Sequence, residues 1–363
     1  MEAFHRPEQE NSDAQPNSCH ISRTLGGYRT HSGQDCSSRQ RFGTPLFYHE
    51  QAVWGRPEEP LPRRRASHWK PSLLPVAFDR RIWVEDHYSK AMTDSPTARH
   101  RAAFPSEAAS ILRARSLQTD YSHLSQSLKP GQRVLDVGCG TGAVTAGIAK
   151  MVSPGEVIGI DTNVGLIAEA LQSHRFPNLT FQCANIYELE HLKELHIGFD
   201  VVVAARVLQW LAHPADALEQ MISVLKPGGT LFILDYNHIK ARLSPTPPTT
   251  MLHFRERYLA WRKDAGMDNE IADHLVELMQ KKGLADVNST EHHELTRRGE
   301  TDFDRRIGLW ADVASTRGHQ VVADAYLSEQ ERQTAVDDFR DWMHNDAAEQ
   351  YFYLLSVMGT KGP

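Results

Sequence analysis

The residues best equipped for chemistry lie in one short run. An apolar stretch, Val134-Leu-Asp-Val137, leads directly into Gly138-Cys-Gly140-Thr-Gly142. Gly138 and Gly140 carry no Cβ, so a turn here can adopt conformations other residues resist and can bring its N–H groups toward a ligand. Gly142 lets the following helix, with Val144 and Ile148 inward, pack close. A strand, a glycine loop and a helix in that order mark where an open α/β sheet receives a nucleotide-like ligand. The glycines alone also fit a dinucleotide fingerprint, Gly138-x-Gly140-x-x-Ala143. Asp136, two residues before the first glycine, favours a ligand with a cationic amino-acid moiety over an anionic pyrophosphate.

The elements that position this run read as a regular alternation. Residues 106–128 place Ala109, Leu112, Leu117, Tyr121, Leu124 and Leu128 at helical spacing before Lys129-Pro-Gly131 breaks the chain. Strands follow at 133–137, 157–160, 179–183, 201–204 and 230–234. Helices are expected at 142–151, from Val164 to about Leu171, and from Pro214 until Lys226-Pro-Gly-Gly229 stops the chain. Strands that are apolar throughout, alternating with amphipathic helices, predict a doubly wound, mostly parallel α/β sheet covered on both faces. Residues 237–266 read as an irregular Pro-rich, aromatic insertion; a helix carrying Ile271, Leu275 and Leu278 follows. Asp286 to Thr290 and Tyr351 to Met358 complete seven strands, with a polar helical segment over 300–350 between them.

Val134-Leu-Asp-Val-Gly-Cys-Gly-Thr-Gly142 resembles the first motif of the class I S-adenosylmethionine-dependent methyltransferases almost letter for letter. Phe199-Asp200, Ala205-Arg206-Val-Leu-Gln209-Trp210-Leu and Leu225-Lys-Pro-Gly-Gly229 also look like family segments, and the likeness is strong from about Ala103 to Asp235. The resemblance implies S-adenosyl-L-methionine as cofactor, an antiparallel last strand and helical lid insertions. It implies that Asp136, Gly138, Cys139, Gly140 and Gly142 form the cofactor loop, and that Asp161, with Thr162, holds the ribose. Asn185 stands where the family usually has Asp for the adenine amino group, with Ile186 beside the ring. Ala205 and Arg206 are placed near the methyl group. Arg113 or Arg115, on the helix before the core, is a candidate for the methionine carboxylate.

Methyl transfer from a sulfonium is an in-line displacement, so the protein chiefly supplies alignment, dehydration and sometimes a base. Tyr236 and His238, just after the fifth strand, and His253, in the insertion, are the candidate catalytic groups. Phe254, Tyr258 and Trp261 form an aromatic stripe that either lines a pocket or, the favoured reading, pins the insertion to the core. His292-His293 has no third ligand at metal spacing, so no metal is expected, and Cys139 and Cys183 lack a base or metal partner.

Composition narrows the partners. With 363 residues and 40% hydrophobic content, the chain can bury one good-sized core with appendages. A net charge of -6 offers no global basic field for nucleic acid or an anionic membrane, so a small-molecule acceptor is expected. Four scattered cysteines and no long apolar segment suggest a soluble protein of the cytoplasm. The expected organisation is a disordered extension over 1–80, a helical cap over 81–130 and the cofactor core over 131–236. Lid and substrate-covering segments with the sixth strand occupy 237–350, and the final strand 351–363. Residues 1–91 are expected to be dispensable for activity, and the run Arg63-Arg64-Arg65 to be solvated. The expected function is methylation of a small organic molecule, in specialised metabolite biosynthesis, with a quinone-type C- or O-methyltransferase as a neighbouring alternative. A cofactor-binding regulatory protein and an NAD-dependent oxidoreductase are the readings from other classes.

Overall fold

The computed structural model describes residues 95–103, 109–192, 195 and 198–363. The chain divides into two units, Met1–Leu73 and Leu74–Pro363, and every described residue lies in the second. The expectations for residues 1–91, including the basic run, therefore lie outside the described residues.

Four short helices precede the sheet: α1 (Pro96–Ala102), α2 (Ala109–Arg113), α3 (Leu117–Asp120) and α4 (Ser122–Ser127). The single helix expected over 106–128 is broken because Ser116 caps a new one, its hydroxyl accepting from Thr119 N while Asp120 accepts from Ser116 N. The alternation then follows the sequence closely, through β1 (Val134–Val137), α5 (Ala143–Val152), β2 (Val157–Asp161), α6 (Val164–Ser173) and β3 (Leu179–Cys183). It continues with β4 (Phe199–Ala205), α7 (Pro214–Ser223) and β5 (Leu225–Ser244). The remaining elements are α8 (Thr249–Asp264), α9 (Ile271–Lys281), β6 (Leu284–Glu291) and β7 (Glu294–Arg297). Last come α10 (Phe303–Ile307), α11 (Leu309–Ser315), α12 (Gly318–Ala323), α13 (Glu329–Asn345) and β8 (Glu349–Lys361).

The sheet has the order β3-β2-β1-β4-β5-β8-β6, with β7 pairing β8 beside that path. Strands β1 to β5 run parallel, and β8 runs antiparallel to β5, β6 and β7. The antiparallel last strand is as expected, but the described strands number eight rather than seven. The extra strand, β7, is short and polar and exists because the long β8 offers it an edge. β5 also overruns its expected end: residues 237–244 are strand, paired with β8 across an irregularity between Asn237 and Arg242.

Two apolar clusters sandwich the sheet. One face buries Leu135, Val137, Ile158, Val202 and Ile233 against α7 and α9. The other buries Val134, Val201, Val203 and Phe232 against α3, α4 and α5, and continues into α8 and α10–α13. The aromatic stripe of α8 belongs to this second core: Tyr258 stacks between Phe254 and Trp261, and all three are buried. It anchors the helical cap and does not line an open cavity. Among the described residues no helix is long and apolar enough to cross a membrane.

Candidate cofactor and acceptor site

Parallel pairing of β3, β2, β1, β4 and β5 brings their carboxyl ends to one edge, and the residues named for the cofactor collect there. Gly138 and Gly140 have φ of +74° and +55°, the left-handed region where a side chain is strained. A Cβ on Gly138 would lie 2.4 Å from Val207 Cγ2, so loop and β4 end touch only because this residue has no side chain. Gly140 is covered by Leu112 of α2, whose Cδ1 would sit 3.0 Å from an added Cβ.

The loop's hydrogen bonds correct one expectation. Gly138 N and Cys139 N donate to Ile160 O, Gly140 N donates to Asp161 Oδ2, and Gly142 N donates to Cys139 O. These four N–H groups are spent inside the fold instead of facing a ligand, which is the wrong arrangement for cradling a pyrophosphate. The dinucleotide reading loses its physical basis. Asp161 accepts from Gly140 N and Asn163 N at 2.9 Å each, one bond per oxygen, so each oxygen retains a lone pair for a diol. Asn185 Oδ1 accepts from Tyr187 N at 3.1 Å, with Ile186 buried beside it, which leaves its NH2 and a second lone pair for an adenine edge. Thr162 is exposed at the rim.

Asp136 is buried at the end of β1 and accepts from Thr145 Oγ1 at 2.6 Å. Burial, reinforced by nearby Asp161 and opposed by the Thr145 bond, pushes its carboxyl up to about 7. A cationic group beside it reverses that penalty. Burial likewise raises the Cys139 and Cys183 thiols, so both are protonated packing residues.

Arg206 follows β4 and links this edge to Tyr236 and Glu294. It is buried and sits at φ +63°, a strained conformation for a residue with a side chain. Its Nε donates to Tyr236 Oη at 2.9 Å and its Nη2 pairs with Glu294 of β7, while Asp120 O lies 3.5 Å away. Ala205, half-buried, precedes it. Tyr236 stacks on His238 at 5.3 Å, and His238 Nε2 bonds Gln209 Oε1 at 2.7 Å. Burial, with Arg262 and Arg255 nearby, holds His238 well below the usual imidazole range, so it is neutral and donates that bond. Burial raises the Tyr236 phenol, so it keeps its proton. Neither is a poised base.

His253 is not brought to Tyr236 and His238. It lies on α8 in an open groove of about 600 Å³ with Thr250, Ser328 and Glu331, its ring 3.7 Å from the Glu331 carboxylate. Arg113 is also diverted, to an exposed ion pair with Glu169 of α6. Arg115 is half-buried; burial, with the Arg206 charge, lowers its guanidinium, opposed by Glu294 and Asp120. Tyr121, Glu294 and His292 were not foreseen as site residues, and they come from three separate stretches with no motif to join them. Among the described residues no group of three His, Cys, Asp or Glu side chains could hold a metal ion.

Residues 128–292 match the family described as "Methyltransferase domain". An uncharacterized methyltransferase of Schizosaccharomyces pombe is 31% identical over 140 residues, covering 36% of this chain and 49% of that protein. The trans-aconitate 2-methyltransferase of Deinococcus radiodurans is 32% identical over 118 residues, covering 32% and 43%. The ubiquinone/menaquinone biosynthesis C-methyltransferase of Ectopseudomonas mendocina is 37% identical over 115 residues, covering 30% and 44%. The chain spans just under half the length of each of these relatives. Over residues 128–292, less than half of its length, the chain is similar to a methyltransferase domain.

Proposed function

We propose that this protein transfers a methyl group from S-adenosylmethionine to a small organic acceptor. The observation that carries the reading is the junction at Arg206: the cofactor loop and strand-end acids lie on one side, and Tyr236 and Glu294, bonded to its guanidinium, on the other. When bound, the cofactor supplies a methyl group on a sulfonium. Asp161 would hold the ribose diol, Asn185 and Ile186 the adenine, and Asp136 the cationic amino-acid end. Cys139, Thr162 and Ala205 contribute packing and backbone.

On the acceptor side Arg206 and Tyr236 orient and α3, α4 and the cap exclude water, so catalysis here rests on alignment in a dry site. Since Tyr236 stays protonated and His238 is desolvated, we assign both to positioning and assign His253 no part in the reaction. The acceptor is proposed to belong to specialised metabolism. A quinone ring is the second reading, favoured by the identity to the quinone C-methyltransferase.

The test is to incubate the full chain with methyl-labelled S-adenosylmethionine and fractionated small-molecule extracts. Label should pass to a compound soluble in organic solvent. S-adenosylhomocysteine binding without transfer to any fraction would instead establish a cofactor-binding regulatory protein.

A further inference from the structure

Gln209 lies buried in a short turn of helix, Leu208–Trp210, just after β4, and it ties several parts of the fold together. Its backbone N–H donates to Asp235 Oδ2 of β5 at 3.1 Å, and its carbonyl accepts from Arg262 Nη2 of α8 at 2.7 Å. Its side-chain Nε2 donates to the carbonyl of Arg206 at 3.2 Å, and its Oε1 meets His238 Nε2 at 2.7 Å. A backbone carbonyl can only accept, so Arg206 fixes which way the Gln209 amide faces. Oε1 is then the acceptor for His238, which puts the proton of that imidazole on Nε2. A closed circuit follows. Gln209 holds the Arg206 carbonyl, the Arg206 guanidinium holds Tyr236 Oη, Tyr236 stacks on His238, and His238 returns to Gln209.

Arg206 needs such a hold. Its φ of +63° is costly for a residue with a side chain and persists only where the surroundings fix it. Its N–H donates to Leu234 O at 2.6 Å, and the Gln209 amide takes its carbonyl. The circuit also reaches the cap. Arg262, fully buried, donates to Asn269 Oδ1 at 2.8 Å and stacks on Trp210 at 4.4 Å, while Asn269 O accepts from His238 N at 2.8 Å. We infer that Gln209 is a positioning residue for methyl transfer: its amide holds the Arg206 backbone and sets the His238 ring, so that Arg206 and Tyr236 keep one arrangement between β4 and β5. This rests on the methyltransferase reading and adds to it a residue that acts through its neighbours.

The experiment uses the full chain and two variants. Gln209→Met keeps the shape and removes both side-chain bonds, whereas Gln209→Glu keeps an acceptor for His238 and removes the donor to Arg206. Turnover is the label passed from methyl-labelled S-adenosylmethionine to the extract fraction that the parent protein labels. The His238 tautomer is read from nitrogen–proton correlation spectra of histidine-labelled protein, with His238→Asn locating its signals. Both variants should lose about fivefold or more in kcat, while the KM for S-adenosylmethionine and the affinity for S-adenosylhomocysteine stay within about threefold. Gln209→Met should lose the preference for a proton on Nε2, and Gln209→Glu should keep it. A smaller fall in kcat overturns the inference, as does a His238 tautomer that departs from this pattern. So does a loss of S-adenosylhomocysteine affinity as large as the loss of kcat, since Gln209 would then serve the cofactor site or the fold alone. Should Gln209→Met not fold, the kcat of Gln209→Glu decides. A parent protein that passes label to no fraction sinks the methyltransferase reading instead, and the His238 tautomer in Gln209→Met then still decides whether Gln209 sets that ring.

Discussion

Replacing Gly138 with alanine separates the two demands made on the cofactor loop. Gly138 and Gly228 have nearly the same backbone conformation, φ +74° and +76°, but different surroundings. A Cβ at Gly138 would sit 2.4 Å from Val207 Cγ2, whereas one at Gly228 has nothing within 4 Å. The left-handed conformation alone costs an alanine about 1–2 kcal/mol, and that applies to both. At Gly138 the clash adds to it: Val207 is β-branched and stiff at χ1, and it follows Arg206, itself held in a strained conformation. Overpacking of this kind costs about 1–3 kcal/mol, so Gly138→Ala should lose about 2–5 kcal/mol in total. The assay is urea unfolding with unchanged slope, paired with calorimetric titration of S-adenosylhomocysteine. Gly138→Ala should show the larger drop in midpoint and at least tenfold weaker binding, while Gly228→Ala binds as the parent does. Equal destabilisation of the two variants would refute the contact between loop and β4 end.

Burial lifts Asp136 to about 7 from an ordinary 3.8, so the folded protein holds this proton more tightly than the unfolded chain does. Stability of the unliganded protein should therefore fall as pH rises from about 4 to about 7, with Asp235, lifted to about 6, acting in the same direction. Affinity for S-adenosylhomocysteine, whose ammonium needs the ionised form, should rise over the upper part of that range; melting curves and titrations between pH 5.5 and 8 check both trends. Asp161→Ala should weaken S-adenosylhomocysteine by about 1–3 kcal/mol through lost charge-assisted bonds, read by the same titration. His253→Ala should change neither that affinity nor turnover, because its ring faces Glu331 in an open groove; a turnover loss above threefold would place it back in the reaction. Trp261→Ala should cost about 3–5 kcal/mol in chemical denaturation, since this fully buried indole anchors the cap.

The parallel half of the sheet was readable because most of its strands are apolar on both faces and each is preceded by a glycine or proline signal. The run 179–183 matches β3, and Pro214 opens α7. The strand-end acids were readable for the same reason, since a loop motif fixes them by spacing. Elements that depend on a partner were not. The polar residues of β7 and the tail of β5 become strand only because β8 runs alongside, and nothing local announces that edge. The break at Ser116 was hidden because apolar spacing continues across it while a capping hydroxyl ends the helix. The loop's inward-turned N–H groups could not be read either, because their acceptors, Ile160 O and Asp161, belong to the neighbouring strand. The side chains around Arg206 were the least legible part. Arg206, Tyr236 and Glu294 meet through topology, while His253, from the same insertion as His238, lies in a separate groove beside Glu331.

The central claim is that the loop after β1, with Asp136 and Asp161, receives S-adenosylmethionine and not a dinucleotide. Parallel calorimetric titrations of the full chain with S-adenosylhomocysteine and with NAD test it most directly. The structure predicts saturable one-site binding of S-adenosylhomocysteine, lost or strongly weakened in Asp161→Ala, and no heat of binding from NAD. Tight NAD binding with no response to S-adenosylhomocysteine would contradict it.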